Sequence, residues 1–399
     1  MGNRGADGTD YLWSAYGRSF GIGRVGGKDT LVRWRRTRTS PSAWLRAGSS
    51  HGRAALPLRQ RYSVCVVPLP EKALIAQIRR MARPDRQGQG DRSVRPTRAA
   101  VLTGIGDDCA VLRLPPGQEF LVTTDFSLEG IHFRRDWHPP QSVGHRCLTR
   151  GLSDIAAMGG EPVAAFLSLA LPRHLPQSWV RTFARGLISL AERFGVTLAG
   201  GDTAESSDGI LADIVVVGTA PKGKSVLRSG ARPGQRIFVS GALGGSAAAL
   251  VKMRSSPKKK LNPRDYPRHF YPEPRIELGR VLRQKGLASA MIDASDGLST
   301  DLAHLCEESG VGAELDASLI PRPRVGKPPS PVDLDLALHG GEDYELLFTV
   351  PAGKRIPAQI AGVALTQIGY VTSGPKIFLR SQSNIVHELK PRGWQHFER

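Results

Sequence analysis

Cysteine is scarce and scattered: four in 399 residues (Cys65, Cys109, Cys147, Cys306), with no CxxC and no short pairing. That argues against a disulfide framework or a Cys-type zinc site, and points to a reducing, cytoplasmic setting. No apolar run is long enough to span a bilayer, so no membrane association is expected. Acidic residues are outnumbered, 36 Asp+Glu against 55 Lys+Arg, for a formal charge of +19. Residues 1–70 contain no Glu at all; eleven Arg and one Lys face three Asp, a local +9. The stretch VRWRRTRTSPSAWLRAGSSHGR (32–53) lacks a sustained apolar period, and residues 1–68 read as a disordered basic extension. Such an arm could bind nucleic acid, act as a targeting segment, or be an unstructured extension without a role, and the last is preferred.

From about residue 69 the pattern becomes that of a folded chain. At 40% hydrophobic and 23% charged residues the composition suits ordinary cores. LPEKALIAQIRRMAR (69–83) has Leu74, Ile75, Ile78 and Met81 at helical spacing. SVGHRCLTRGLSDIAAMGG (142–160) predicts a helix stopped by two glycines, and LPQSWVRTFARGLISLAERFG (175–195) a long amphipathic one. FLVTTDFSL, VAAFLSLAL, VTLAGG and ILADIVVVGTA read as strands between and after them. After PKGKSVLRSGARPGQ (221–235) a second unit begins with the strand RIFVSG and further helices. The fold class is α/β (α+β), with an N-terminal domain at 69–222 and a C-terminal α/β domain at 223–399.

The chemical signal is a set of carboxylates beside glycines or small residues at element ends: GIGDDCAVL, TTD, LSDIAAMG, GGDT, DASDGLSTD and GGEDYE. One Asp at a turn is ordinary, because Asp caps helices and tolerates tight turns. Six such clusters in a basic chain suit a hard divalent ion with oxygen ligands, and Mg²⁺ commonly bridges carboxylates to phosphates. His and Cys are too few in these motifs for zinc. Ser295 and Asp296 precede a predicted helix start, where Ser295 could cap or bind phosphate and Asp296 could cap or hold a metal, and GALGGS (241–246) is a second candidate phosphate cradle. GTAPKGKS (218–225) matches the G-x-x-x-x-G-K-[ST] phosphate loop letter for letter, but Gly230, Pro233 and Gly234 leave no room for the helix that motif requires.

In their order, GIGDDCAVL, TTD…EGIHF, LSDIAAMG, GGDT, RSGARPGQ, IDASDGL and HGGEDYEL resemble the thiamine-monophosphate kinase family of the aminoimidazole-ribonucleotide synthetase-like superfamily. The resemblance runs from about Leu69 to the C-terminus. It implies a two-domain PurM-like fold whose N-terminal domain pairs its sheet in a homodimer. It also implies ATP-dependent phosphorylation of thiamine monophosphate to thiamine diphosphate with several Mg²⁺ ions. Carried over by position, Asp108, Thr123, Thr124, Asp125, Asp154, Asp202, Asp293 and Asp296 would hold Mg²⁺. Gly201, Asp202, Arg228 and Ser295 would contact ATP, and His132, Glu342 and Trp394 the thiamine phosphate. This chain departs from the family pattern at Gly151, where an Asn is common, at Arg146, where a Lys is common, and in a longer basic insertion at 254–268.

No general base is expected, since the acceptor is already an ionised phosphate. The difficulty is repulsion between two polyanions, which Mg²⁺ must screen while aligning an in-line transfer. The alternatives are another ATP-dependent enzyme of the superfamily, a selenophosphate or purine-pathway synthetase, or a basic nucleic-acid-binding protein. The first of these lacks its N-terminal Cys loop here, and the last lacks a recognisable binding module.

Overall fold

The structure is a computed structural model that describes residues 71–82, 100–105 and 109–394; the expected basic extension at 1–68 lies outside them. In chain order the elements are α1 (Glu71–Met81), β1 (Val101–Thr103), β2 (Val111–Leu112), β3 (Gln118–Leu128), α2 (Pro140–Ala157), β4 (Glu161–Pro172), α3 (Gln177–Arg193), β5 (Thr197–Ser206) and β6 (Leu211–Pro221). There follow β7 (Arg236–Ser240), α4 (Gly245–Ser255), α5 (Pro267–Phe270), α6 (Ile276–Gln284), β8 (Ala290–Ala294), α7 (Leu298–Ser309), β9 (Gly312–Asp316), β10 (Arg324–Val325) and β11 (Ser330–Pro331). The chain closes with α8 (Leu334–His339), β12 (Glu345–Val350), β13 (Gln359–Ile360), β14 (Val363–Thr372), β15 (Ile377–Arg380) and β16 (Val386–Glu388).

Strands β3-β6-β4-β5 form the first sheet in that order, antiparallel except for the β4–β5 pair. Along β3 the side chains alternate. Leu121, Thr123, Asp125 and Ser127 turn toward α2, while Phe120, Val122, Thr124 and Phe126 are exposed on the open face. The second sheet runs β16-β15-β9-β14-β7-β12-β8, with β13 added beside β14. Its central strands alternate between two cores. Ile237, Val239 and Leu347 pack with Leu298, Leu302 and Leu305 of α7, whereas Phe238, Leu346 and Phe348 join a core that includes α6 and α2.

Helix α2 is the element common to both sheets. Pro140 starts it, where a missing N–H costs nothing, and the chain leaves it at Met158, just before Gly159 in the left-handed region (φ 66°). Val143, the adjacent Cys147 and Leu148, Leu152 and Ile155 follow at steps of three to five residues and are buried. Close packing on α3 requires two glycines: a Cβ on Gly144 would lie 2.0 Å from the Phe183 carbonyl oxygen, and one on Gly186 1.9 Å from that of Gln141. With α2 so fixed, its remaining polar residues are held between the two sheets.

The phosphate-loop look-alike at 218–225 spans the end of β6 (to Pro221), a turn, and the start of the coil that leads to β7. With no helix after Lys224–Ser225, it is not a loop of that kind, as the glycines and proline behind it predict.

Candidate active site

Period-two alternation places Thr123 and Asp125 over α2, and α2 answers with Asp154. The Thr123 hydroxyl donates to Asp154 Oδ2. One residue earlier on the helix, the Ser153 hydroxyl donates to Asp293 Oδ2 at 2.7 Å, tying the end of β8 in the second sheet to the same turn of α2. Three carboxylates from three separated motifs therefore meet. Burial, and then the charge of Asp154, push Asp125 up to about 7 and Asp293, only 2% exposed, up to about 8. Burial also raises Asp154, against the pull of the Thr123 hydroxyl and the Arg228 guanidinium. Arg228, exposed in the connection before β7, acts on Asp293 in the same sense.

The loop after β8 collects the other motifs by main-chain bonds. Glu342 N–H donates to the Ser295 carbonyl at 2.7 Å, Tyr344 N–H to that of Ala294 at 2.9 Å, and Trp394 N–H to that of Asp296 at 2.9 Å. DASDGL, GGEDYE and the C-terminal Gly-Trp thus share one loop, with the Trp394 side chain half exposed beside it. The cap position of α7 is Gly297, not Ser295 or Asp296, either of which the sequence offers as a cap. Asp301, from the helix's own first turn, accepts the amides of Asp296 (3.2 Å) and Gly297 (2.9 Å). Burial and the charges of Asp293 and Asp296 raise Asp301 well above the ordinary carboxylate range.

Glu342 accepts from Arg146 Nη2 and Arg150 Nη2, each at 2.6 Å. Burial alone would raise its pKa, but the two guanidiniums outweigh it and hold the carboxyl well below its usual value. Arg146 also reaches the carbonyls of His269 (2.7 Å) and His132 (3.4 Å). His132 Nδ1 accepts the Leu128 N–H at 3.0 Å, so in the neutral ring the proton lies on Nε2.

Several expected site residues stand apart. Thr124 is on the open face of the sheet, its hydroxyl 2.7 Å from Asp213 Oδ1. Asp202 lies on that face too: Phe126, Asp213, Ser168 and Asp202 are successive register partners across the sheet, and Asp202 is exposed. Gly201, at φ 147°, has a structural reason to lack a side chain, since a Cβ there would fall 1.9 Å from the Leu167 carbonyl oxygen. Asp108 falls outside the described residues. The GALGGS turn, a candidate phosphate cradle from sequence, is already filled: the Asp343 carboxylate accepts the amides of Gly244 (2.5 Å) and Ser246 (3.2 Å). Glu345, the last acid of GGEDYE, is fully buried in a pair with Arg268 and Arg275.

Tyr344, Ser153 and Asp301 lie inside the motifs without a role given them there, and Arg150 lies outside every motif. Arg146, Arg150 and Asp154 follow one another at i, i+4 and i+8 on α2, and that spacing was the available signal. At Gly151 a Cβ would meet Val216 Cγ2 at 2.5 Å, which explains why this chain carries no side chain there.

Two sheets share one helix, with carboxylates from both around its last turn, and this chain matches both domain models of the AIR synthase related proteins. The N-terminal domain model of that family matches residues 106–220 and the C-terminal domain model residues 232–382. Within the family, the chain is 37% identical over 315 residues to thiamine-monophosphate kinase of Escherichia coli K12, covering 76% of this chain and 94% of that relative. The crystal structure of thiamine-monophosphate kinase from Stenotrophomonas maltophilia K279a superimposes with a TM-score of 0.63 at 31% identity, covering 77% of this chain and 95% of that one. A ThiL structure described as AaThiL complexed with AMPPCP and TMP gives 0.62 at 32% identity, covering 71% and 89%. The chain belongs to the thiamine-monophosphate kinase family.

Proposed function

We propose that this protein transfers the γ-phosphoryl group of ATP to the phosphate of thiamine monophosphate. The observation that carries this reading is the meeting of Asp125, Asp154 and Asp293 beside the Arg146–Glu342–Arg150 cluster, in a chain whose relatives carry that activity by name. An acceptor phosphate oxygen forms a bond to the γ-phosphorus as the bond to the β,γ-bridging oxygen breaks, giving ADP and thiamine diphosphate. The attacking oxygen is already ionised, so no side chain has to remove a proton.

The donor set fits Mg²⁺. Its atoms are hard carboxylate oxygens, and three of the carboxylates are driven toward protonation by burial and mutual repulsion, which a cation would relieve. Mg²⁺ usually takes one or two carboxylates and completes its shell with phosphate oxygens and water; among the described residues no three His, Cys, Asp or Glu side chains are arranged to hold one ion. Asp125, Asp154 and Asp293 would hold them, with Thr123 and Asp296 beside and Asp108 supplementing. Bound Mg²⁺ would supply charge screening between the two polyanions. Arg228 and Ser295 would orient ATP, the Nε2–H of His132 would donate to the acceptor, and Glu342 and Trp394 would border the thiamine.

Domains at 69–222 and 223–399 and a homodimer belong to the same reading. Phe120 (43% exposed), Val122 (66%) and Phe126 (54%) make an apolar row on the open face of the first sheet, the kind of surface a second copy covers. Pairing there would bring Thr124, Gly201 and Asp202 to the interface. A cytoplasmic location agrees with the scattered cysteines; among the described residues no helix is long and apolar enough to cross a membrane. The test is ADP release from ATP and Mg²⁺ with thiamine monophosphate, thiamine, selenide or formylglycinamidine ribonucleotide as acceptor. Release with thiamine monophosphate alone is expected; release with another acceptor and none with this one overturns the assignment.

A further inference from the structure

Two buried polar atoms beside the site lack a hydrogen-bonding partner: Arg150 Nε and the Tyr344 hydroxyl. Tyr344 is 2% exposed and the Arg150 side chain 12%. Buried donors are almost always satisfied in a finished structure, so two of them at one place call for an acceptor from outside the chain. The backbone around them is held in an uncommon shape. Glu342 and Tyr344 both sit in the left-handed region, at φ 67° and 53°, on either side of Asp343, whose carboxylate is fastened to the start of α4. Strain of this kind persists where the surroundings enforce it, and it gathers at binding sites.

The charges tell what sort of acceptor fits. Two guanidiniums converge on the single carboxylate of Glu342, leaving one positive charge over, and Arg150 lies close enough to Asp125 and Asp154 to act on both. Arg146, with a side chain only 4% exposed, also bonds main-chain carbonyls, so its position is accounted for without a ligand. Arg150 is one helical turn further along α2 and one turn short of Asp154, between the Arg146–Glu342 pair and the carboxylates. Its neighbour Gly151 cannot contribute a side chain, because Val216 occupies the space. The polar group this chain presents at that turn is Arg150.

We propose that Arg150, assisted by the Tyr344 hydroxyl, binds the phosphate group of the acceptor. This rests on the proposed activity and adds a substrate contact absent from the recognised motifs. The acceptor's phosphate is a dianion near neutral pH, and a guanidinium already anchored at one end by Glu342 offers it a fixed donor.

Isothermal titration in Mg²⁺ without ATP, comparing thiamine monophosphate with thiamine, separates this role from a purely structural one. The parent binds thiamine monophosphate more tightly than thiamine. Arg150→Gln weakens thiamine monophosphate roughly ten- to a hundredfold and thiamine less than about twofold, Arg150→Lys recovers part of the loss, and Tyr344→Phe gives a smaller loss of the same selectivity. If Arg150 acted only by holding Glu342, both ligands would weaken together, and that result overturns the proposal, as does unchanged binding of thiamine monophosphate. Should Arg150→Gln fail to fold, Arg150→Lys and Tyr344→Phe decide by the same ratio. A parent that binds thiamine monophosphate no better than thiamine shows that no phosphate is held there; a parent that binds neither removes the proposed acceptor itself, and this inference with it.

Discussion

Replacing Asp293 by Asn should stabilise the metal-free protein and, on the proposed role of that carboxylate, abolish turnover. The carboxyl is 2% exposed and is raised from 3.8 to about 8 by burial and by Asp154. An acid with a raised folded pKa takes up protons on folding between those two values, so its ionisation costs stability increasingly as pH climbs from about 4 to 8. At pH 7.5 the ceiling on that cost is about 5 kcal/mol. Because Asp125 and Asp154 share the same repulsion, and the surroundings relax around a charge, a gain of about 1–2 kcal/mol for Asp293→Asn is the working expectation. The amide oxygen still accepts the Ser153 hydroxyl, so that bond survives. Thermal melts in EDTA at pH 5, 6.5 and 8 read the effect. The variant should melt a few degrees above the parent at pH 8, with the difference shrinking toward pH 5. Added Mg²⁺ should raise the parent more than the variant. A variant less stable than the parent at pH 8 in EDTA, or a gain independent of pH, would refute the claim that these carboxylates strain against each other.

Glu342→Gln leaves two buried guanidiniums without a counter-charge and should cost roughly 3–5 kcal/mol in urea unfolding at pH 7. Since the folded Glu342 carboxyl is held below its ordinary 4.5, its contribution is present above that value and fades in acid, so the deficit narrows below about pH 4; a cost within about 0.5 kcal/mol at pH 7 contradicts the cluster. Gly151→Asn should destabilise by about 1–3 kcal/mol through contact with Val216, and Val216→Ala should recover most of it; equal stability of Gly151→Asn and parent denies that contact. The proposed pairing through the first sheet predicts a dimeric parent that Val122→Asp with Phe126→Asp turns into a folded monomer in sedimentation velocity; a monomeric parent, or a double variant that stays dimeric, contradicts it.

Much of the frame was readable because it is local. The apolar spacing at Val143, Cys147, Leu148, Leu152 and Ile155 gives α2, and the glycines at 159 and 160 give its end to within a few residues. Period two along FLVTTDFSL separates Thr123 and Asp125 from Thr124, a consequence available from the sequence that the motif assignment did not draw. What stayed hidden depends on partners far away in the chain. Nothing near GALGGS says that Asp343, about a hundred residues later, will fill it, and nothing in DASDGL says that Asp301 rather than Ser295 will hold its amides. Arg150 was lost for a different reason. It sits just before LSDIAAMG, between the departures at Arg146 and Gly151, and only the helix geometry turns it toward Glu342.

The claim at the centre is direct passage of a phosphoryl group between two phosphates held over one carboxylate cluster, with no phosphorylated side chain in between. The stereochemical course at phosphorus tests it most directly, using ATP made chiral at the γ-phosphorus with sulfur and oxygen isotopes and thiamine monophosphate as acceptor. A single in-line displacement predicts inversion of configuration in the thiamine diphosphate analogue formed. Retention would require two displacements through an enzyme-bound phosphoryl group and would contradict the account.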